Sequence, residues 1–154
     1  MSLLQFNILL ADDDKDDCEL FKDALNELPL NTMLTTVHDG DQLMTLLLER
    51  TVRLPHVLFL DLNMPRKNGF QCLSEIKHHP DLKDLIVVIF STSFEQYIAG
   101  DLHKNGAQHY IRKPAEFETL KKVIYQALIL VTQDNVSQPP IEYFVLKGQT
   151  VPEL

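Results

Sequence analysis

Two kinds of apolar pattern alternate along the chain. Short continuous runs at Phe6 to Ala11, Met33 to Val37, His56 to Leu60, Leu85 to Phe90 and Ala107 to Ile111 have the length and the β-branched or aromatic content of strands. Between them, apolar residues recur at helical spacing and predict helices near 15–28, 40–51, 69–79 and 94–105, with a fifth near 115–132. In the fifth, Leu120, Val123, Ile124, Ala127, Leu128 and Val131 form a stripe for packing on a sheet, with Tyr125 and Ile129 one turn apart on roughly the opposite face. Strands alternating with helices predict βαβ units and a parallel sheet. The runs Val57-Leu58-Phe59-Leu60 and Leu85-Ile86-Val87-Val88-Ile89-Phe90 are apolar at every position, so helices must cover both faces.

Five such units in about 130 residues suit an α/β, doubly wound, flavodoxin-like sheet of five parallel strands, order 2-1-3-4-5, with five helices. Sheets of this kind bind ligands beyond the carboxyl ends of strands 1 and 3, where the strand order reverses. There strand 1 runs out into Asp12-Asp13 and strand 3 into Asp61-Leu62-Asn63-Met64-Pro65. Strand 4 ends in Ser91-Thr92-Ser93, and strand 5 leads into Tyr110-Ile111-Arg112-Lys113-Pro114. Neighbouring parallel strands lie about 4.8 Å apart, so acids at the first two tips share one pocket.

Composition narrows the function classes. At 154 residues the chain predicts one domain, and 45% apolar with 23% charged residues is ordinary for a globular protein. Its net charge of −8, from 14 basic against 22 acidic residues, argues against binding nucleic acid or anionic lipid through a basic face. No apolar stretch reaches membrane-spanning length and no secretory leader is visible, so a cytoplasmic location is expected. The two cysteines, Cys18 and Cys72, fall in predicted helices without metal-type spacing and read as packing residues in a reducing compartment. Nothing rests on Met1-Ser2-Leu3.

The crowd of acids behind strand 1 needs a cation. Two unit charges about 4 Å apart repel by roughly 4 kcal/mol at an effective dielectric near 20. Asp12, Asp14, Asp16 and Asp23 match positions of a calcium-binding EF-hand loop, but Asp17 stands where that loop needs glycine, and a strand precedes it where a helix is required. Asp14, Asp16 and Asp17 fit the start of a helix, which favours Asp at the cap and first turn. Asp12 and Asp13 belong with the other strand ends.

Asp12-Asp13, Asp61 followed by Met64-Pro65 and Gly69, Ser91, and Lys113-Pro114 stand in the order and at the spacing of a known family. The sequence resembles the receiver domain of bacterial two-component response regulators over residues 5–132. That resemblance implies that Asp61 is the phosphoacceptor, a carboxylate nucleophile forming an aspartyl phosphate. It implies Mg²⁺ held by Asp13, Asp61 and the backbone carbonyl of Asn63, with Asp12 acting through a bound water. Lys113 would stabilise the phosphoryl oxygens, aided by a cis Lys113–Pro114 bond. Ser91 would donate its hydroxyl to the phosphoryl group, and Tyr110 would swing inward as Ser91 moves. Gly69 and Pro65 would shape the loop after Asp61. Thr92 departs from the small residue the family commonly has there. Asn63 and Ser93 supply no acid that could act as a base for hydrolysis.

The implied role is a phosphoacceptor signalling protein rather than an enzyme, catalysing only its own phosphorylation and slow dephosphorylation. Its partners would be a histidine kinase or phosphotransfer protein and a downstream protein that reads the face of helix 4, strand 5 and helix 5. That face is also the family's habitual homodimer surface. The segments 63–70 and 91–93 further resemble receivers paired with phytochrome-type kinases. A competing class, phosphatases of the haloacid dehalogenase type, is suggested by Phe59-Leu60-Asp61-Leu62-Asn63 but needs an acid where Asn63 stands. Residues 133–154 are read as a tail: Pro139-Pro140 breaks any helix, and Ile141 to Leu146 forms a strand or docking segment. The expectation is that this tail packs on helix 5 or a partner subunit and contains no output domain.

Overall fold

A computed structural model of the chain describes residues 5–49, 53–133 and 137–148. The elements run β1 (Phe6–Ala11), α1 (Lys15–Asn26), β2 (Thr32–Val37), α2 (Gly40–Leu48), β3 (Val57–Leu60), α3 (Gly69–His78), β4 (Val87–Ser91), α4 (Gln96–Lys104), β5 (His109–Arg112) and α5 (Phe117–Val131). A single 3₁₀ turn (Ile141–Tyr143) then leads into β6 (Val145–Leu146). Met1-Ser2-Leu3, the end of the helix expected to reach residue 51, and residues 134–136 and 149–154 of the tail lie outside the described residues.

The strands form one parallel sheet of order β2-β1-β3-β4-β5-β6. The class and the order of the first five strands are as expected; the sixth strand is a correction. Val145 and Leu146 pair with Tyr110 and Ile111, so the tail adds to the open β5 edge. The segment Ile141 to Leu146, which reads as a strand or docking segment, is a strand only at Val145 and Leu146, where the unpaired N–H and C=O groups of β5 receive it.

Residues that alternate along each strand divide the core in two. Ile8, Leu10, Val57, Phe59, Val88 and Phe90 pack with α1 and α5, while Leu9, Leu58, Leu60, Val87 and Ile89 pack with α2, α3 and α4. The stripe on α5 is buried as expected, and Tyr125 stays 36% exposed because the tail lies on the β5 edge rather than over it. The tail is anchored instead by Phe144, which is fully buried and whose carbonyl accepts the Tyr110 N–H at 3.0 Å. His103 Nε2 lies 2.7 Å from the Pro139 carbonyl, and Gly148 N–H donates to Gln126 on α5 at 3.0 Å.

The starts of α1, α2 and α3 are capped by side chains. Asp14, Asp39 and Asn68 each accept a backbone N–H at the start of α1, α2 and α3, and Gln71 completes a capping box with Asn68. Cys18 and Cys72 are buried, and burial pushes their thiols up to about 12 and about 11, which leaves them inert packing residues.

Candidate functional site

Register builds the site. Ala11 pairs with Leu60, so the residues that follow, Asp12 and Asp61, leave adjacent strands side by side; the Asp61 N–H donates to the Ala11 carbonyl at 2.9 Å. On the other side of β1, the Asp12 N–H donates to Val37 at 3.0 Å. Asp12 and Asp61 are buried and Asp13 is exposed, and one carboxylate oxygen from each lies within 4.8 Å of the others. Among the described residues this is the acid cluster suited to a metal ion. The donor set is all oxygen, as a hard divalent cation prefers. Asp12 Oδ1 accepts the Asp14 N–H at 2.9 Å, whereas Oδ2, completely buried, has no aligned hydrogen-bond donor among the described residues. Its neighbour is the Lys113 ammonium, an ion-pair contact at 2.7 Å.

Lys113 is the cation already in place. Its Nζ lies 2.9 Å from Asp17 Oδ2 and 3.7 Å from Asp61 Oδ2, and its side chain is 9% exposed. Burial works against the Lys113 charge, but the adjacent Asp12 and Asp17 carboxylates outweigh it and hold the ammonium above its ordinary value. Burial pushes the Asp61 carboxyl up to about 7; Lys113 opposes the rise and the Asp12 charge adds to it. Burial likewise raises Asp12 against the pull of Lys113. Positive charge beside these carboxylates favours their ionised form against the cost of burial.

The loop after Asp61 holds its backbone close. The Gly69 N–H donates to the Leu62 carbonyl at 2.9 Å, and a Cβ on Gly69 would lie 2.3 Å from the Asp61 carbonyl oxygen. Within this loop Arg66 adopts a φ of 68°, a conformation costly for a residue with a side chain. The Asn63 N–H points back to Asp61 Oδ1 at 3.4 Å.

Ser91 is the last residue of β4 and is fully buried, with its hydroxyl 3.4 Å from that of Ser93. Thr92 is exposed beside it. Tyr110 lies inward and fully buried, its hydroxyl donating to the Ser93 carbonyl and its ring 5.3 Å from Phe94 and 6.4 Å from Phe144. One correction concerns Lys113–Pro114, which is trans. The Lys113 N–H donates to the Ser91 carbonyl at 2.8 Å, so β4 and the facing acids suffice to aim the side chain.

The expected residues Asp12, Asp13, Asp61 and Lys113 thus meet at one sheet edge, with Ser91 at the neighbouring strand end. Two residues escaped the sequence reading. His38 Nδ1 lies 3.0 Å from the Asp12 carbonyl oxygen, and Asp17 holds Lys113 as well as opening a helix.

A family model for the response regulator receiver domain matches residues 8–125. The chain belongs to this family. Response regulator Rcp1 of Synechocystis is 35% identical over 125 residues, covering 76% of this chain and 82% of that protein. The response regulator DctR of Bacillus subtilis is 30% identical over 80% of this chain, which spans about half of that relative, 53%. Among solved structures, Mn²⁺-bound Rcp1 matches with a TM-score of 0.73 at 29% identity, covering 88% of this chain and 99% of that one. The phosphorylated cyanobacterial phytochrome response regulator RcpA matches with a TM-score of 0.75 at 29% identity, over 89% of this chain and 100% of that one. The protein is therefore a receiver domain of two-component signalling, a family that works with histidine kinases or phosphotransfer proteins. No helix among the described residues is long and apolar enough to cross a membrane.

Proposed function

We propose that Asp61 accepts a phosphoryl group from a phosphohistidine of a sensor kinase or phosphotransfer protein, with Mg²⁺ bound at Asp12, Asp13, Asp61 and the carbonyl of Asn63. The observation that carries this reading is the meeting of three carboxylates within 4.8 Å of one another, with the Lys113 ammonium 3.7 Å from Asp61. The Mn²⁺ in Rcp1 and the phosphoryl group of RcpA support it. Mg²⁺ supplies, when bound, neutralisation of the crowded acids and of the incoming phosphoryl oxygens.

The protein's own residues do the rest. Asp61 Oδ attacks phosphorus as the P–N bond to the donor imidazole breaks, and the electron pair of that bond leaves with the imidazole. Lys113 stabilises negative charge on the transferring group as a point charge. Ser91 turns its hydroxyl from Ser93 toward a phosphoryl oxygen. The resulting shift at the end of β4 reaches Tyr110 through the Ser93 carbonyl and alters the face of α4, β5 and α5, where a downstream protein or a second copy of the chain docks. A phytochrome-type kinase is the partner that the RcpA match favours. Asn63, which can neither donate nor accept a proton as a general acid or base, disfavours turnover of phosphoesters.

Incubation with a small-molecule acyl phosphate and Mg²⁺, followed by intact mass measurement, tests the reading. One phosphoryl group should add to the parent and none to Asp61→Asn. Labelling of both proteins alike, or of neither, would refute it.

A further inference from the structure

Asp17 is the third carboxylate on Lys113 and has no part in the chemistry above. It lies on the first turn of α1, and its Oδ2 accepts a hydrogen bond from Nζ at 2.9 Å, closer than Asp61 at 3.7 Å. Both ends of this contact are fixed by backbone. The Asp17 N–H donates to the Asp14 cap at 3.1 Å, and the Lys113 N–H donates to Ser91 at 2.8 Å. The lysine side chain is 9% exposed and that of Asp17 is 29% exposed, so the pair is only partly screened by water. Phe90 backs the ammonium, its ring centroid 5.4 Å away. Of the three N–H donors on Nζ, Asp12 and Asp17 are within reach of two, and Asp61 is left with a longer ionic contact.

We propose that Asp17 is a positioning residue for Lys113: it holds the ammonium on the α1 side of the pocket in the resting protein and yields it when a phosphoryl group is attached to Asp61. The inference rests on the reading of Asp61 as phosphoacceptor. Its physical content is a division of charge. With the Asp17 carboxylate present, part of the lysine charge is drawn away from the acids that would ligate a cation, and Nζ stays back from Asp61. Without it, Nζ settles between Asp12 and Asp61, competing with a cation and standing ready for an anion. Loss of Asp17 therefore moves cation and anion affinity in opposite directions, whereas damage to the fold lowers both.

The test uses the full chain with Asp17→Asn, Asp17→Glu and Lys113→Met. Mg²⁺ binding is measured by calorimetry and beryllofluoride binding, a phosphoryl mimic, by titration at saturating Mg²⁺. In Asp17→Asn the Mg²⁺ Kd should rise about fivefold and the beryllofluoride Kd fall about fivefold, shifts of the size expected for one partly buried charge pair. Asp17→Glu should restore both toward the parent. Adding Asp17→Asn to Lys113→Met should leave Mg²⁺ affinity unchanged, because the carboxylate acts through the lysine. Any pattern other than opposite shifts, or a Mg²⁺ shift that survives in Lys113→Met, overturns the proposal. If instead Asp61→Asn binds beryllofluoride as well as the parent does, the phosphoacceptor reading has failed and this inference falls with it.

Discussion

Asp61 is buried among like charges, and its carboxyl is pushed up from 3.8 to about 7 by burial. A carboxyl that holds its proton more tightly in the folded chain than in the unfolded one stabilises the fold fully below its unfolded value, and loses that contribution as pH rises through the folded value. The window here runs from about pH 4 to about pH 7. Asn carries no such titration. In metal-free buffer Asp61→Asn should be more stable than the parent at pH 8, by about 4 kcal/mol, and the gap should close toward pH 4. Urea denaturation across that range checks this, and a gap independent of pH would count against it. Thr92 is exposed beside Ser91. Its branched side chain is expected to hinder the approach of water to a phosphoryl group on Asp61. Thr92→Ala should shorten the phosphoryl lifetime about threefold, a barrier change under about 1 kcal/mol. Equal decay rates would reject the role.

At the scale of elements, the β3–α3 connection holds Asp61 by close backbone contact. A Cβ on Gly69 would lie 2.3 Å from the Asp61 carbonyl oxygen and 2.8 Å from Leu62 Cα, and no side-chain rotation can relieve a clash with backbone. Gly69→Ala should cost about 1–3 kcal/mol and weaken Mg²⁺ binding as well, since Asp61 must move. Gly100, inside α4, supplies the control: nothing lies within 4 Å of an added Cβ. Gly100→Ala should stabilise the protein by about 0.5–1 kcal/mol with Mg²⁺ affinity unchanged. Thermal denaturation and calorimetry on the two variants separate a packed glycine from a merely helical one.

Over the whole molecule, the tail completes the sheet and the core beneath α4. Phe144 is fully buried, with its ring 5.1 Å from His103 and 6.4 Å from Tyr110, and its carbonyl accepts the Tyr110 N–H. Phe144→Ala should therefore cost about 3 kcal/mol, and a chain ending at residue 133 at least as much. Urea midpoints equal to the parent would show that the tail does not contribute to the fold. The tail also sits on the strand that carries Tyr110, so the α4–β5–α5 face proposed to bind partners borders residues from outside the matched receiver region, 8–125.

The sequence by itself determined the strands and helices, their parallel order and the four strand ends that carry the chemistry. Each of these depends on local periodicity or on motif spacing, which a linear reading preserves. Asp12, Asp13, Asp61 and Ser91 were legible because they stand at the ends of strong apolar runs, and Lys113 from its place with Pro114 in the motif order. Only tertiary structure decided that Asp17 joins Lys113 across 96 residues, that two tail residues become a sixth strand, and that Tyr110 is held inward. The physical reason is common to all three. An aspartate in a first turn reads equally as a cap or as an ion-pair partner, and a Val-Leu pair as strand or coil, until a distant ammonium or an unpaired strand edge is brought within a few ångströms.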